Sequence, residues 1–87
     1  MALTADQVLE VVRRAVVRVL EVEPSSVTRD TSFKSDLAAD SLSLVEVVEI
    51  VEEELAPQAR PGFHIADEDL DGLSTVGAAV DYALARL

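Results

Sequence analysis

The sequence predicts an all-α fold, a small antiparallel bundle of three main helices and one short helix. Two observations carry that expectation. Apolar residues recur at helical spacing in three separate stretches, and all three prolines, with Gly62 and Gly72, fall between the stretches rather than inside them. At 87 residues the chain makes one domain, spanning 1–87, with a modest core and too little mass to surround a substrate, so its binding surface is expected on the outside.

The first helix is expected from about Ala5 to Leu20. Thr4 and Gln7 have the spacing of a capping box, and Val8, Leu9, Val12, Ala15, Val16, Val19 and Leu20 follow at helical intervals. Pro24, Ser25 and Ser26 break it. From there to Asp40 the apolar residues are too sparse for another long helix, and Val27, Phe33 and Leu37 are read as anchors of a long loop over the core. The second helix is expected from Ser41 to Leu55, stopped by Pro57, with Pro61 and Gly62 keeping the next segment irregular. Ala66 to Leu70 is expected to form the short turn. Ser74 or Thr75 caps the last helix, whose Val76, Val80, Ala83, Leu84 and Leu87 are again helically spaced.

Charge narrows the partners. Seventeen Asp and Glu oppose seven Lys and Arg, a formal charge of −10 that repels nucleic acid and anionic lipid and favours basic protein surfaces. The apolar runs are short and interrupted by charge, so no membrane span is expected, and the N-terminus has no basic region followed by an apolar one. A cytoplasmic, free-standing monomer is the expectation. With no cysteine, a disulfide framework and a thiolate metal site are both excluded, and any thiol chemistry has to come from an added group.

An angular step of about 100° per residue sorts the second helix into two faces. Leu44, Val47, Val48, Val51 and Leu55 share the side that buries. Glu46, Glu49 and Glu53 share the opposite side, with Leu42 inside that acidic stripe and Val45 on its flank. Apolar side chains exposed among carboxylates are read as a docking surface rather than a plain solvated face.

Ser41 stands at the head of this helix, between Asp40 and Leu42. A serine nucleophile needs an adjacent base, yet the only histidine, His64, lies in a loop bearing Pro and Gly with no motif linking it to Ser41, and no GxSxG turn surrounds the serine. The pattern therefore points to a modified serine rather than a catalytic one. The alternative is a helix cap, supplied by Asp40 or Ser41.

Residues Asp36 to Leu42 read DLAADSL and resemble the DLGADSL signature of the acyl carrier protein family. Val45, Glu46 and the later Glu52, Glu53 and Glu54 extend the likeness, and Thr75 to Tyr82 resemble the family's last helix, so that it covers most of the chain. The resemblance implies that Ser41 is the attachment point of 4′-phosphopantetheine, moved from coenzyme A by a phosphopantetheinyl transferase with that enzyme's magnesium. It implies a non-catalytic carrier whose arm holds acyl groups as thioesters and presents them to acyl transferases, ketosynthases and related fatty acid or polyketide enzymes. Asp36, Asp40, Leu42, Val45, Glu46, Glu49 and Glu53 are the expected partner surface. Val47, Ile50, Val51, Phe63, Ile65 and Leu70 are the expected lining of an acyl pocket. A carrier of aminoacyl or peptidyl groups, or an unmodified acidic interaction domain, are the competing readings.

Two features depart from the family pattern. Ala38 takes the place of a glycine, which raises the question of whether the backbone there has positive φ. The segment Ala56 to His64 looks longer than the usual connection, which bears on the third helix and any pocket it walls. Phe63 is expected as a core anchor, His64 as a solvated loop residue and Tyr82 as a packing residue. Asp67, Asp69, Asp71 and Gly72 reproduce the first half of a calcium loop, but its twelfth position is Ala78 where a bidentate glutamate is needed, and no metal site is expected. The acidic run reads instead as the N-terminus of a short helix with a glycine stop.

Overall fold

A computed structural model describes residues 3–58, 64–65 and 72–87. Among them are three α-helices, α1 Ala5–Leu20, α2 Ser41–Leu55 and α3 Val76–Arg86, and two short 3-10 turns, Pro24–Ser26 and Ala56–Gln58. All three helices fall where the sequence places them. The short helix expected at 66–70, the acidic loop at 67–71 and Phe63 lie outside the described residues.

Each helix begins with the chemistry its sequence supplies. For α1, the Thr4 hydroxyl accepts from Gln7 N at 3.2 Å while the Gln7 side chain accepts from Thr4 N at 2.8 Å, the reciprocal capping box. It ends at Glu21, in the left-handed region at φ 54°, whose N–H donates to the Val17 carbonyl at 2.9 Å. At the head of α3 the cap is Thr75, not Ser74, with its hydroxyl accepting from Ala78 N at 3.1 Å. Ala56–Gln58 continues α2 directly as a tighter turn with Pro57 inside it. Proline lacks the N–H and crowds the preceding turn, so the α-helix stops there.

α1 is the spine. Its Val8, Val11, Val12, Ala15 and Val16 are buried, and it packs against both α2 and α3. α2 contributes Val47, Val48, Val51 and Leu55 to the core, and α3 contributes Val76, Val80 and Ala83. Between α2 and α3 the filling comes from residues outside the helices, Phe33, Ile65 and Leu73, all buried. A bundle whose two outer helices are separated by such wedges depends on its loops for packing density.

The loop after α1 is therefore built into the fold. Val27 is fully buried and Phe33 nearly so, as expected, while Leu37 is half-buried. Arg13 Nε donates to the Val27 carbonyl at 3.0 Å, tying the loop to α1. Thr31, the one buried polar residue among those described, donates its hydroxyl to the Ser26 carbonyl and accepts from Thr28 N, so burial costs it no hydrogen bond. The loop then runs against the start of α3. Phe33 N donates to Ser74 O, Val76 N to Thr31 O and Gly77 N to Arg29 O, with Ser32 and Thr75 forming an isolated antiparallel bridge.

Gly77 makes that approach possible. A Cβ there would stand 2.9 Å from the Arg29 carbonyl oxygen, closer than real Cβ contacts come, so the absence of a side chain lets backbone meet backbone. Further along α3, Asp81 accepts two bonds of 3.0 Å from Arg29, an exposed pair worth about 0–1 kcal/mol. Tyr82 is half-buried against the core as expected, with the Arg86 guanidinium 3.6 Å over its ring. Among the described residues no helix is long and apolar enough to cross a membrane.

Candidate modification site at the mouth of α2

The chain reaches α2 through a tight turn over 33–37 that its own polar groups assemble. Ser32 is the hub. Its carbonyl accepts from Asp36 N and Leu37 N, both at 3.1 Å, its hydroxyl accepts from Ser35 N at 3.1 Å, and its N–H donates to the Asp36 carboxylate at 2.7 Å. Asp36, expected only as part of the partner surface, thus has one oxygen committed to the turn.

Ala38 then reverses the chain at φ 52°. The backbone is not ordinary here: an alanine holds the left-handed conformation that a glycine would adopt without strain, at a cost of about 1–2 kcal/mol. What keeps it there is its surroundings. Ala39 N donates to the Phe33 carbonyl at 2.8 Å, and Ala39 is half-buried against the core.

Asp40 follows in extended conformation and caps α2, its Oδ1 accepting from Ser43 N at 2.8 Å. The Ser43 backbone N–H is the main reason its carboxyl titrates below the usual aspartate value of 3.8, with the Ser43 side chain adding to it. Of the two cap candidates, Asp40 is the one that caps. This frees Ser41, the first residue inside the helix. Its side chain is exposed, and its hydroxyl makes no hydrogen bond to any of the described residues.

The chain's one histidine does not stand beside it. His64 is exposed, but it is not simply solvated as expected from sequence: its Nδ1 lies 3.3 Å from Glu52 Oε1, and the same carboxylate oxygen accepts from Ile65 N at 3.0 Å. Glu52 follows Ser41 by eleven residues, roughly 16 Å along a helix rising about 1.5 Å per residue. The histidine is therefore anchored far from the serine, and Glu52 holds the buried Ile65 against the bundle. Sequence reading left that contact unseen because the partners sit in a helix and a loop thirteen residues apart with no pattern linking them.

Down the exposed side of α2 the structure brings together most of the expected surface. Leu42 is 69% exposed, the one large hydrophobic side chain so exposed among the described residues, and Glu46, Glu49 and Glu53 are exposed with it. Val45 departs from the expectation. It is half-buried and packs on the core, and it helps to wall a cleft between α2 and the 33–37 turn.

That cleft, about 590 Å³, opens directly beside the serine. Phe33, Ala39, Leu44, Val45 and Leu73 give it an apolar side, and Ser32, Lys34, Ser35, Asp40, Ser41 and Ser74 a polar one. The sequence does not mark Lys34 or the loop serines, and it offers Ser74 only as a candidate cap of α3. The available signal was that Lys34 is the chain's only lysine, seven residues before Ser41 in a protein of charge −10.

The expected acyl pocket is only partly present. Val47, Val51 and Ile65 do line a common void between the helices, with Val12, Phe33, Leu44, Val48, Leu73 and Ala79, but it holds only about 20 Å³. That is room for about one water molecule and not for an acyl chain. Ile50 is no part of this lining; it is half-buried at the flank of α2, turned away from the void by its place on the helix. Phe63 and Leu70 lie outside the described residues.

Comparison with known proteins adds to this geometry. Residues 10–83 match the family model described as "Phosphopantetheine attachment site". The chain is 42% identical over 82 residues to an acyl carrier protein of Rhodococcus erythropolis, covering 94% of this chain and 84% of that protein. It is 39% identical over 82 residues to the meromycolate extension acyl carrier protein of Mycobacterium leprae, again over 94% of this chain but 66% of the longer relative. The acyl carrier protein of Enterococcus faecalis shares the fold with a TM-score of 0.73 at 36% identity, covering 98% of this chain and all of that one.

Proposed function

The chain belongs to the acyl carrier protein family, whose cofactor is covalent 4′-phosphopantetheine, and we propose that Ser41 is the residue that bears it. One observation carries this reading: the Ser41 hydroxyl is exposed on the first turn of α2, relieved of capping by Asp40 and bonded to no described residue, at the rim of a cleft. A hydroxyl in that position is sterically open to a second protein. The first-turn N–H groups of α2 favour an anion attached there, which offsets part of the repulsion from the chain's net charge.

In the modification the Ser41 oxygen attacks the β-phosphorus of coenzyme A. The serine–phosphorus ester forms as the pyrophosphate P–O bond breaks, adenosine 3′,5′-bisphosphate leaves, and the hydroxyl proton passes to a base on the transferase. The chain is a substrate in this step and contributes position, not catalysis, since its one histidine is held against Glu52. Once attached, the arm supplies the terminal thiol that holds acyl groups as thioesters, which a protein without cysteine lacks.

Recognition falls to the outer face of α2. Leu42 offers an apolar contact, and Glu46, Glu49 and Glu53, with Asp36 and Asp40 at the helix mouth, complement basic surfaces on the transferase, acyl transferases and ketosynthases. Acyl cargo of the fatty acid or polyketide kind, handled by a cytoplasmic monomeric domain, is the role that best fits. The relative named for meromycolate extension, like the other relatives an acyl carrier protein by name, supports that choice of cargo over an aminoacyl group.

Intact mass after incubation with coenzyme A and a broad-specificity phosphopantetheinyl transferase tests the proposal. The wild type gains one arm and Ser41→Ala gains none. An arm found on Ser43 or another residue of a folded Ser41→Ala variant would reassign the site, and an unmodified wild type would point to an acidic interaction domain.

A further inference from the structure

Resting on Ser41 as the attachment point, we propose that the cleft beside it is a docking site for the arm, with the Lys34 ammonium as the counter-ion of the arm's phosphodiester. The occupant is set by charge and by tether. Lys34 is the only lysine in the chain and, among the described residues, the only cationic one lining the cleft. It makes no ion pair within the protein among the described residues. Arg13, Arg14 and Arg29 are each matched with a carboxylate, and Arg18 lies on α1 away from the cleft lining, whereas Lys34 lines the same cleft as Ser41.

Position in the fold makes this more than a flexible surface charge. The turn bearing Lys34 is pinned at both ends: Phe33 N bonds to Ser74 O, Ala39 N bonds to Phe33 O, and Ser32 fixes Ser35 and Asp36 from within. The backbone beneath the ammonium is thus held before any ligand arrives, which lowers the ordering cost of docking. Beyond the phosphate the cleft matches the rest of the arm in chemistry. Ser32, Ser35 and Ser74 offer polar contacts to amide groups, and Leu44, Val45 and Leu73 offer apolar contact to its methyl and methylene carbons. With the interhelical void at about 20 Å³, this surface cleft is the larger receptacle within reach of the serine. Lys34 is a positioning residue: it touches the phosphodiester and biases the arm toward the protein, while the thiol chemistry is elsewhere.

The test uses the full-length protein modified on Ser41 with an isotopically labelled arm, in wild-type, Lys34→Arg and Lys34→Gln forms, each first verified by intact mass. Cross-relaxation from the arm's methyl protons to Leu44 and Val45, and the phosphorus-31 shift, report docking. The wild type and Lys34→Arg are expected to show the contacts. Lys34→Gln is expected to lower the docked-to-free ratio about two- to fivefold, the range for an exposed ion pair, and added salt should shift the wild type the same way. If Lys34→Gln retains wild-type contacts and salt response, or if no form shows contacts to the cleft, the docking proposal is overturned while Ser41 attachment stands. Absence of any mass gain in the wild type overturns both, so the two failures are told apart.

Discussion

Replacing Ala38 by glycine should stabilise the protein, against the usual rule that glycine weakens a chain. At φ 52° the alanine Cβ crowds its own carbonyl, costing about 1–2 kcal/mol that glycine does not incur. Glycine gives back part of this by making the unfolded chain more flexible, roughly 0.5–1 kcal/mol. Relief of the crowding outweighs the added flexibility, leaving a net gain of about 0.5–1 kcal/mol. For a domain of this size that is roughly 2–8 °C in Tm. With a urea m-value of about 1 kcal/mol/M, the midpoint should rise by about 0.5–1 M at unchanged m. Urea titration followed by far-UV circular dichroism reads this directly, with Ala38→Val as the opposing control because a β-branched side chain fits the left-handed region worse. A glycine variant equal to or less stable than wild type at the same m would mean that the turn does not hold residue 38 in a left-handed conformation, and the reasoning would be wrong.

Three further outcomes are expected. Gly77→Ala improves helix propensity by about 1 kcal/mol but drives a Cβ to 2.9 Å from the Arg29 backbone oxygen, and overpacking of about 1–3 kcal/mol should dominate; a thermal melt showing stabilisation would contradict the close approach. Asp40→Ala should lower Tm at neutral pH through loss of the cap. Because the Asp40 carboxyl is depressed in the folded state, its ionised contribution is present above the ordinary value of 3.8 and fades as pH falls through the lower folded value, so the gap to wild type should shrink in acid while Asp40→Asn, which caps without titrating, keeps its stability relative to Asp40→Ala. Glu46→Lys and Glu49→Lys should slow association with the transferase by about tenfold or less at low salt, converge with wild type as salt rises, and leave stability within about 0.5 kcal/mol; stopped-flow rates insensitive to the reversals would remove the acidic face from recognition.

The helices were legible because each is written locally. Thr4 with Gln7, Asp40 before Ser41, and Thr75 before Val76 announce their helix starts within three residues, and the apolar spacing names the buried faces. The seven-residue signature around Ser41 likewise needs no tertiary knowledge. What the sequence hides is what depends on partners distant along the chain. Val45 and Leu44 have the same hydropathy whether buried or lining a cleft, and only the lie of the 33–37 turn over α2 decides between them. Lys34 gains its setting from Ser74 and Leu73, some forty residues away. Glu52, one of several glutamates in a row, is distinguished from its neighbours only by the amide of Ile65. The interhelical void could not be sized from residue types, because its volume is the small remainder of side chains that nearly fill the space.

The backbone crossing in which Arg29, Thr31 and Phe33 meet Ser74, Val76 and Gly77 has a bearing on how the molecule can be cut down. A synthetic peptide spanning the signature and α2 would keep the serine and its capping aspartate but none of the distant strap. Its helix would start and fray as a short isolated segment does, and the left-handed alanine would relax. An enzyme able to decorate such a fragment must read sequence and charge alone, whereas one that ignores it while decorating the whole protein is sensing the architecture that the segments on either side of the fragment build together.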